Sequence, residues 1–406
     1  MMAGIFFRRL SIIATLFTFF TLPSSAQAPS AKDSSATIHR LEIEALPGTI
    51  LHTSSFLKGY NPEVRTMNHA FTARLKYAFQ PRPNTDEALI YKGGYQGAGI
   101  AWHHFNPQLS NPLSVYIFQG ATLATLTPRL SLNYEWNFGL TFGWKAYDKE
   151  TNPDNHVIGS KVTAYMDADL YLRWMLSPQL DLNLGVTATH FSNGNTALPN
   201  AGLNTVSAKL SLAYYINRTP PTDNSRQLPS FLRHWSTDVV VFGAWKRKSV
   251  EAADGTGLKP LPEKFPVAGI MVNPMYNLNH WLNVGASLDM YFDRAANIEV
   301  TQLSERHRQE QGRDFTIDYP AATRQITAGL SARAELVMPY FAINFGIGHN
   351  FINASSPDFN GFYETLALKI KLSRRLFAHI GYSLYDFYYP NNLMIGIGYR
   401  FGSHRR

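Results

Sequence analysis

Apolar and polar residues alternate one for one along much of this chain, and the runs are long. LSLNYEWNFGLTFGW, from Leu130 to Trp144, sets Leu132, Tyr134, Trp136, Phe138, Leu140, Phe142 and Trp144 against Ser131, Asn133, Glu135, Asn137, Gly139, Thr141 and Gly143. Successive side chains of a strand point to opposite faces, so this segment carries one apolar and one polar face. A half-buried strand of a soluble sheet keeps such a pattern for about four to eight residues. The longer run suits a tilted strand crossing a bilayer, with its apolar face to lipid and its polar face to a lumen. VTAYMDADLYLRW, WLNVGASLDMYF, YFAINFGIG and LMIGIGYRF repeat the pattern.

Sixteen such stretches begin near Leu41, Ala70, Gly97, Ser114, Ser131, Val162, Leu180, Val206, Val239, Val267, Leu282, Ile326, Phe341, Leu366, Leu376 and Leu393. Short connections (LTPR, LSPQ, NLNH, MP, SRR) alternate with long ones such as YDKETNPDNHVIG and 293–324. Short turns on one side and long loops on the other are the habit of transmembrane barrels. Two connections, 80–95 and 217–236, are long where the scheme needs them short, so the smaller counts of 12 or 14 strands stay open. The pattern predicts an all-β protein: one transmembrane antiparallel β-barrel of about 16 strands (range 12–16) over residues 29–406. Its last strand ends in Phe401, similar to the terminal signal of bacterial outer-membrane barrels, with GSHRR following.

Composition narrows the picture. Arg8 and Arg9, the apolar run LSIIATLFTFFTL and Ala26-Gln27-Ala28 read as a secretory signal peptide over residues 1–28. No later stretch is apolar enough for a membrane-spanning helix, and mean hydropathy is −0.18. An exported chain of this kind belongs in the bacterial outer membrane. With no cysteine there is neither a disulfide nor a thiolate nucleophile. The net charge of +8 is spread without a basic run, which argues against nucleic acid as a partner.

HFSNGNTALPNAGLN, His190 to Asn204, joins two of these strands. Continuing the apolar row Leu180, Leu182, Leu184, Val186 and Ala188 puts His190 and Ser192 on the lipid-facing side. Asn204 continues the row Val206, Ala208, Leu210 and Leu212 of the next strand. Polar groups facing lipid are costly, so three together suggest a use. Ser192 is the candidate nucleophile, His190 its general base and Asn204 the group that holds the imidazole. Asn193 or the backbone N–H of Gly194 is the candidate oxyanion hole. The bland alternative is a turn rich in Asn, Gly and Pro. H-x-S recurs at His52-Thr53-Ser54 and His234-Trp235-Ser236, where ordinary loop chemistry is expected. His103-His104 and Asp148/Asp154/His156 lack a metal-specifying spacing, so no metal site is expected. Lys246-Arg247-Lys248 is expected in a solvated loop, the alternative being an outer strand end where lipid phosphates lie.

The stretch H-[aromatic]-S-N followed by P-N-x-G resembles the active-site signature of lipid A 3-O-deacylases, which are outer-membrane barrels. That resemblance implies His190 as base, Ser192 as nucleophile and Asn193 in the oxyanion hole, with Pro199, Asn200 and Gly202 matching the rest of the motif. The family carries a glutamate where this chain has Asn204. H-x-S-N-G with an asparagine twelve residues after the serine is also similar to outer-membrane phospholipase A, through His190, Ser192, Asn193, Gly194 and Asn204. The second resemblance implies calcium and dimerisation, although no calcium ligands are evident in the sequence. The reading is thus a lipid acyl-ester hydrolase needing no cofactor, acting on lipid A, with phospholipid and calcium as the phospholipase alternative. A non-enzymatic channel or scaffold barrel is the other reading. Oligomeric state is left open, and residues beyond 216 exceed what either family accounts for.

Overall fold

The computed structural model describes residues 37–402 except 84, 219–226, 252–257, 360 and 388. The expected signal peptide lies outside these residues. All sixteen expected strands are present, but they close as two barrels of eight. The first contains β1 (Thr37–Leu51), β2 (His69–Pro81), β3 (Tyr95–His104), β4 (Leu113–Thr127), β5 (Leu130–Phe142), β6 (Val162–Met175), β7 (Leu180–Ser192) and β8 (Leu203–Ile216). The second contains β9 (His234–Lys246), β12 (Phe265–Asn277), β13 (Leu282–Asp293), β16 (Ile326–Val337), β17 (Phe341–Asn350), β18 (Phe362–Lys371), β19 (Leu376–Tyr385) and β20 (Tyr389–Phe401). Hairpins β10 (Ser249–Glu251) with β11 (Leu258–Pro260), and β14 (Glu299–Gln302) with β15 (Phe315–Asp318), stand in two long loops of the second barrel. No helix among the described residues is long and apolar enough to cross a membrane.

The expectation of one barrel over 29–406 is therefore corrected. β8 pairs antiparallel with β1, from His39 opposite Ile216 to Leu51 opposite Asn204, and β20 pairs with β9. Each closure removes the unpaired strand edges that hydrocarbon cannot satisfy. The connection read at 217–236, which spoiled the single-barrel scheme, falls between the last strand of the first barrel, ending at Ile216, and the first of the second, starting at His234. The other, between β2 and β3, holds a short helix, Asp86–Ile90, whose first turn is capped by the Thr85 hydroxyl accepting from Ala88 N–H. Eight is an even number, so β9 starts on the side where β1 started, and both sets of long loops lie on the same side.

The alternation is realised as read. On β7, Leu184 is 49% and Val186 56% exposed, whereas Asn183 and Thr187 are buried. Inward residues fill each lumen, as expected where an eight-stranded barrel leaves room for side chains only. In the first, Arg74 pairs with Glu44, Asp167 and Asp169, Lys76 with Glu44 and Glu135, and Lys209 with Glu44 and Asp169. In the second, Asp289 pairs with Arg333, and Asp238 and Glu335 share Lys369 and Arg400. These charges are buried and mutually neutralised, a packed plug where the channel reading requires an open polar lumen. The barrels meet along outward apolar faces. Ile117, Trp136 and Phe138 pack against Phe341, Ile343, Leu368 and Ile370, with Trp136 edge-on to Phe341 at 5.2 Å.

Candidate active site

The site forms at the long-loop end of β7 and β8, and Phe191 sets its geometry. The Phe191 side chain is buried inward, edge-on to Phe105, Trp144 and His103 and tilted against Tyr165. With that ring anchored, strand alternation turns its two neighbours, His190 and Ser192, to the outer face. Trp144, assigned from the sequence to the apolar face of β5, lies just past the strand end and joins this inner cluster, stacked on Phe105 at 5.6 Å. The aromatic between histidine and serine thus acts as the fulcrum of the motif.

His190 stands directly opposite Asn204 in the β7–β8 register, and its Nδ1 lies 2.6 Å from Asn204 Oδ1. An amide oxygen can only accept, so in this arrangement Nδ1 carries the proton and Nε2 is the free base. The imidazole rests over Gly202, which has φ +73°; a Cβ there would lie 2.9 Å from His190 Cε1. Glycine is needed at this position both for the backbone conformation and for the room the ring takes.

Ser192 is not hydrogen-bonded to His190. Its Oγ accepts instead from the backbone N–H of Gly194 at 3.1 Å and from Asn200 Nδ2 at 3.2 Å. Free-enzyme contacts between nucleophile and base are often loose. Two N–H donors therefore converge on the serine, and only one of them was expected. Asn193 keeps its side chain within the loop, where Nδ2 donates to Ala197 O at 2.9 Å and Oδ1 accepts from Ala197 N–H at 3.4 Å. Its backbone N–H donates to Asn200 Oδ1 at 3.1 Å, which fixes the Asn200 amide with its NH2 toward Ser192. Sequence reading placed Asn200 only as loop support. Its spacing from the serine was visible, but which asparagine turns inward depends on the folded loop.

The segment carrying Pro199, Asn200 and Gly202 is braced by the β5–β6 loop. Ala201 and Gly202 donate backbone N–H bonds to the carbonyls of His156 and Val157, each at 3.1 Å. Gly159 approaches the Pro199 carbonyl so closely that a Cβ would sit 2.1 Å from it. Asn152 and Asn155 hold the bracing loop through bonds to Lys145 O at 3.0 and 2.9 Å. Asp148 accepts from the N–H groups of Glu150 and Thr151, so its carboxyl is held below the usual range by those bonds. AYDKETNPDNHVIGS is in this way a support for the site.

Below His190, the outer wall carries a depression of about 360 Å³ lined by Leu51, Met166, Ala168, Ala188 and Val206. The small Ala168 and Ala188 stand opposite each other in the β6–β7 register and leave the space. The remaining candidates have structural partners. His52 bonds Met67 O, and His103 bridges the Thr72 and Ser114 hydroxyls. His104 bonds Asn111, and Ser236 faces inward and bonds Asn277. Lys246 pairs with Asp293 and Lys248 with Asp358, while Arg247 bonds the carbonyls of Leu261 and Glu263. The basic run therefore ties loops together. Among the described residues, Glu44, Glu135 and Asp169 bring carboxylate oxygens within 4.8 Å of one another, but Lys76, Lys209 and Arg74 already occupy them from inside the lumen.

Comparison with known proteins follows the division into barrels. Residues 71–213 match the sequence model of lipid A 3-O-deacylase, and residues 235–404 match that of the acyloxyacyl hydrolase C-terminal domain. No curated protein matches the chain. Among solved structures, Neisserial surface protein A is 9% identical with a TM-score of 0.27, over 45% of this chain and 97% of that one. The alcaligin receptor FauA from Bordetella pertussis is 12% identical with a TM-score of 0.27, over 91% of this chain and 65% of that one. Likenesses this distant carry no argument about activity. Taken together, the two family matches cover most of the chain: it belongs to the lipid A 3-O-deacylase family of outer-membrane β-barrels and carries a second barrel of the acyloxyacyl hydrolase C-terminal type.

Proposed function

We propose that the protein removes the ester-linked 3-O-acyl chain of lipid A by nucleophilic catalysis at Ser192. The observation that carries this reading is the convergence on Ser192 Oγ of the Gly194 N–H and Asn200 Nδ2, beside an imidazole oriented by Asn204. Lipid A reaches the site sideways from the membrane, since all three catalytic candidates are on the outer wall. The acyl chain to be cleaved lies in the depression floored by Ala168 and Ala188, burying apolar surface on both.

Ser192 Oγ attacks the ester carbonyl carbon while His190 Nε2 takes the hydroxyl proton. The carbonyl oxygen becomes an oxyanion and draws the Gly194 and Asn200 donors from Oγ onto itself. Collapse breaks the bond to the sugar oxygen, which leaves with the proton from His190. Water, deprotonated by His190, then attacks the acyl-serine; the bond to Ser192 Oγ breaks, His190 returns the proton to Oγ, and the 3-hydroxy fatty acid is released. Asn204 holds the imidazole by an uncharged acceptor, so the imidazolium is stabilised less than a glutamate would stabilise it. The step uses no metal.

Full-length protein in detergent micelles with lipid A, read by mass spectrometry of the released acid, tests this. Ser192→Ala and His190→Ala should each abolish turnover, and the double variant should be no worse, because the pair acts as a unit. Chelation should leave wild-type turnover unchanged. Normal lipid A turnover by Ser192→Ala would remove the nucleophile assignment, and calcium-dependent cleavage of phospholipid alone would move the reading to the phospholipase type.

A further inference from the structure

The second barrel reaches the site. Gly194 and Asn195 both have left-handed backbones, with φ +63° and +62°, and this pair sets the direction of the Gly194 N–H. Their outer side is covered by residues from beyond the first barrel. A Cβ on Gly194 would lie 3.3 Å from Tyr382 Cε2 and 3.7 Å from both Cβ and Cδ1 of Leu393. Tyr382 and Leu393 face each other in the β19–β20 register, forming one apolar wall. Beside them, Arg247 N–H donates across the barrel boundary to Asn195 O at 2.9 Å. On its other side, Asn195 Oδ1 accepts from Asn200 Nδ2 at 3.2 Å. Any displacement of residues 194–195 thus disturbs both N–H groups aimed at Ser192.

We propose that the second barrel holds the oxyanion loop in its working shape, with Tyr382 and Leu393 as positioning residues. The proposal rests on the ester-hydrolase reading of Ser192. It gives the second barrel a role in the chemical step, exerted by the apolar wall beside Gly194 and the Arg247 bond to Asn195. Because the Tyr382 atom nearest that position is ring carbon Cε2, the wall is apolar there and the hydroxyl is dispensable.

The test uses the full chain in detergent micelles and initial rates on a p-nitrophenyl acyl ester, with heat-modifiable gel mobility as the check of folding. Losing one oxyanion donor outright lowers kcat by about 10²–10³-fold, so a loosened donor should lower it by about tenfold in Tyr382→Ala/Leu393→Ala. KM should stay near wild type, and Tyr382→Phe should retain full kcat. Should Tyr382→Ala fail to reach the folded form, Tyr382→Leu takes its place with the same expected loss. Wild-type kcat in the double variant would overturn the proposal, as would equal impairment in Tyr382→Phe. Ser192→Ala is assayed alongside: if it is inactive, such a result removes the positioning role alone, whereas turnover by Ser192→Ala overturns both readings.

Discussion

Two neighbouring asparagines, Asn193 and Asn200, should respond to substitution in opposite ways to what the motif alone suggests. Asn200→Ala deletes the Nδ2 donor that lies 3.2 Å from Ser192 Oγ. If that donor serves the oxyanion, kcat should fall by about 10²–10³-fold, or about 2.7–4 kcal/mol of transition-state stabilisation, with KM little changed. Asn193→Ala removes two neutral hydrogen bonds to Ala197, worth about 1 kcal/mol each, from the loop. The alanine keeps the backbone N–H that orients Asn200, so both donors stay aimed and kcat should fall by no more than about tenfold. Asn200→Asp separates orientation from donation, since its carboxylate can still accept from Asn193 N–H but presents negative charge to a developing oxyanion. It should be slower than Asn200→Ala. Steady-state rates on lipid A micelles for the three variants decide the matter. A greater kcat loss in folded Asn193→Ala than in Asn200→Ala would refute the assignment and return the role to Asn193.

Asn204→Glu restores the carboxylate of the deacylase signature at a position 2.6 Å from His190 Nδ1, and should maintain or raise lipid A turnover by stabilising the imidazolium. Asn204→Ala should be slower than wild type yet faster than Ser192→Ala; loss of lipid A activity in the glutamate variant would contradict the proposed role. In the second barrel, Glu335→Ala leaves Lys369 and Arg400 buried with one acceptor fewer, which should cost about 3–5 kcal/mol of stability. Thermal unfolding followed by heat-modifiable mobility should show a lowered transition, and an unchanged one would mean that water enters that lumen.

The alternation of β5 to β8 was enough to fix strands and faces, with His190 and Ser192 in the outward row of β7 and Asn204 in that of β8. A period-two pattern is a local property, and membrane strands repeat it long enough to be unambiguous. Closure was not legible. Whether β8 pairs with β1 or β9 is a choice between partners far apart in sequence, and identical alternation suits either. The hydrogen bonds from His39–Ile216 to Leu51–Asn204 settled it as two barrels. Likewise, the sequence put both asparagines in the motif, but it could not say that Asn193 turns into its own loop while Asn200 turns toward Ser192. That depends on a backbone path through two left-handed residues and on a brace from His156 and Val157. The approach of Tyr382 and Leu393 to Gly194 joins positions nearly two hundred residues apart, and side chains on an apolar strand face look alike in sequence whether lipid or protein covers them.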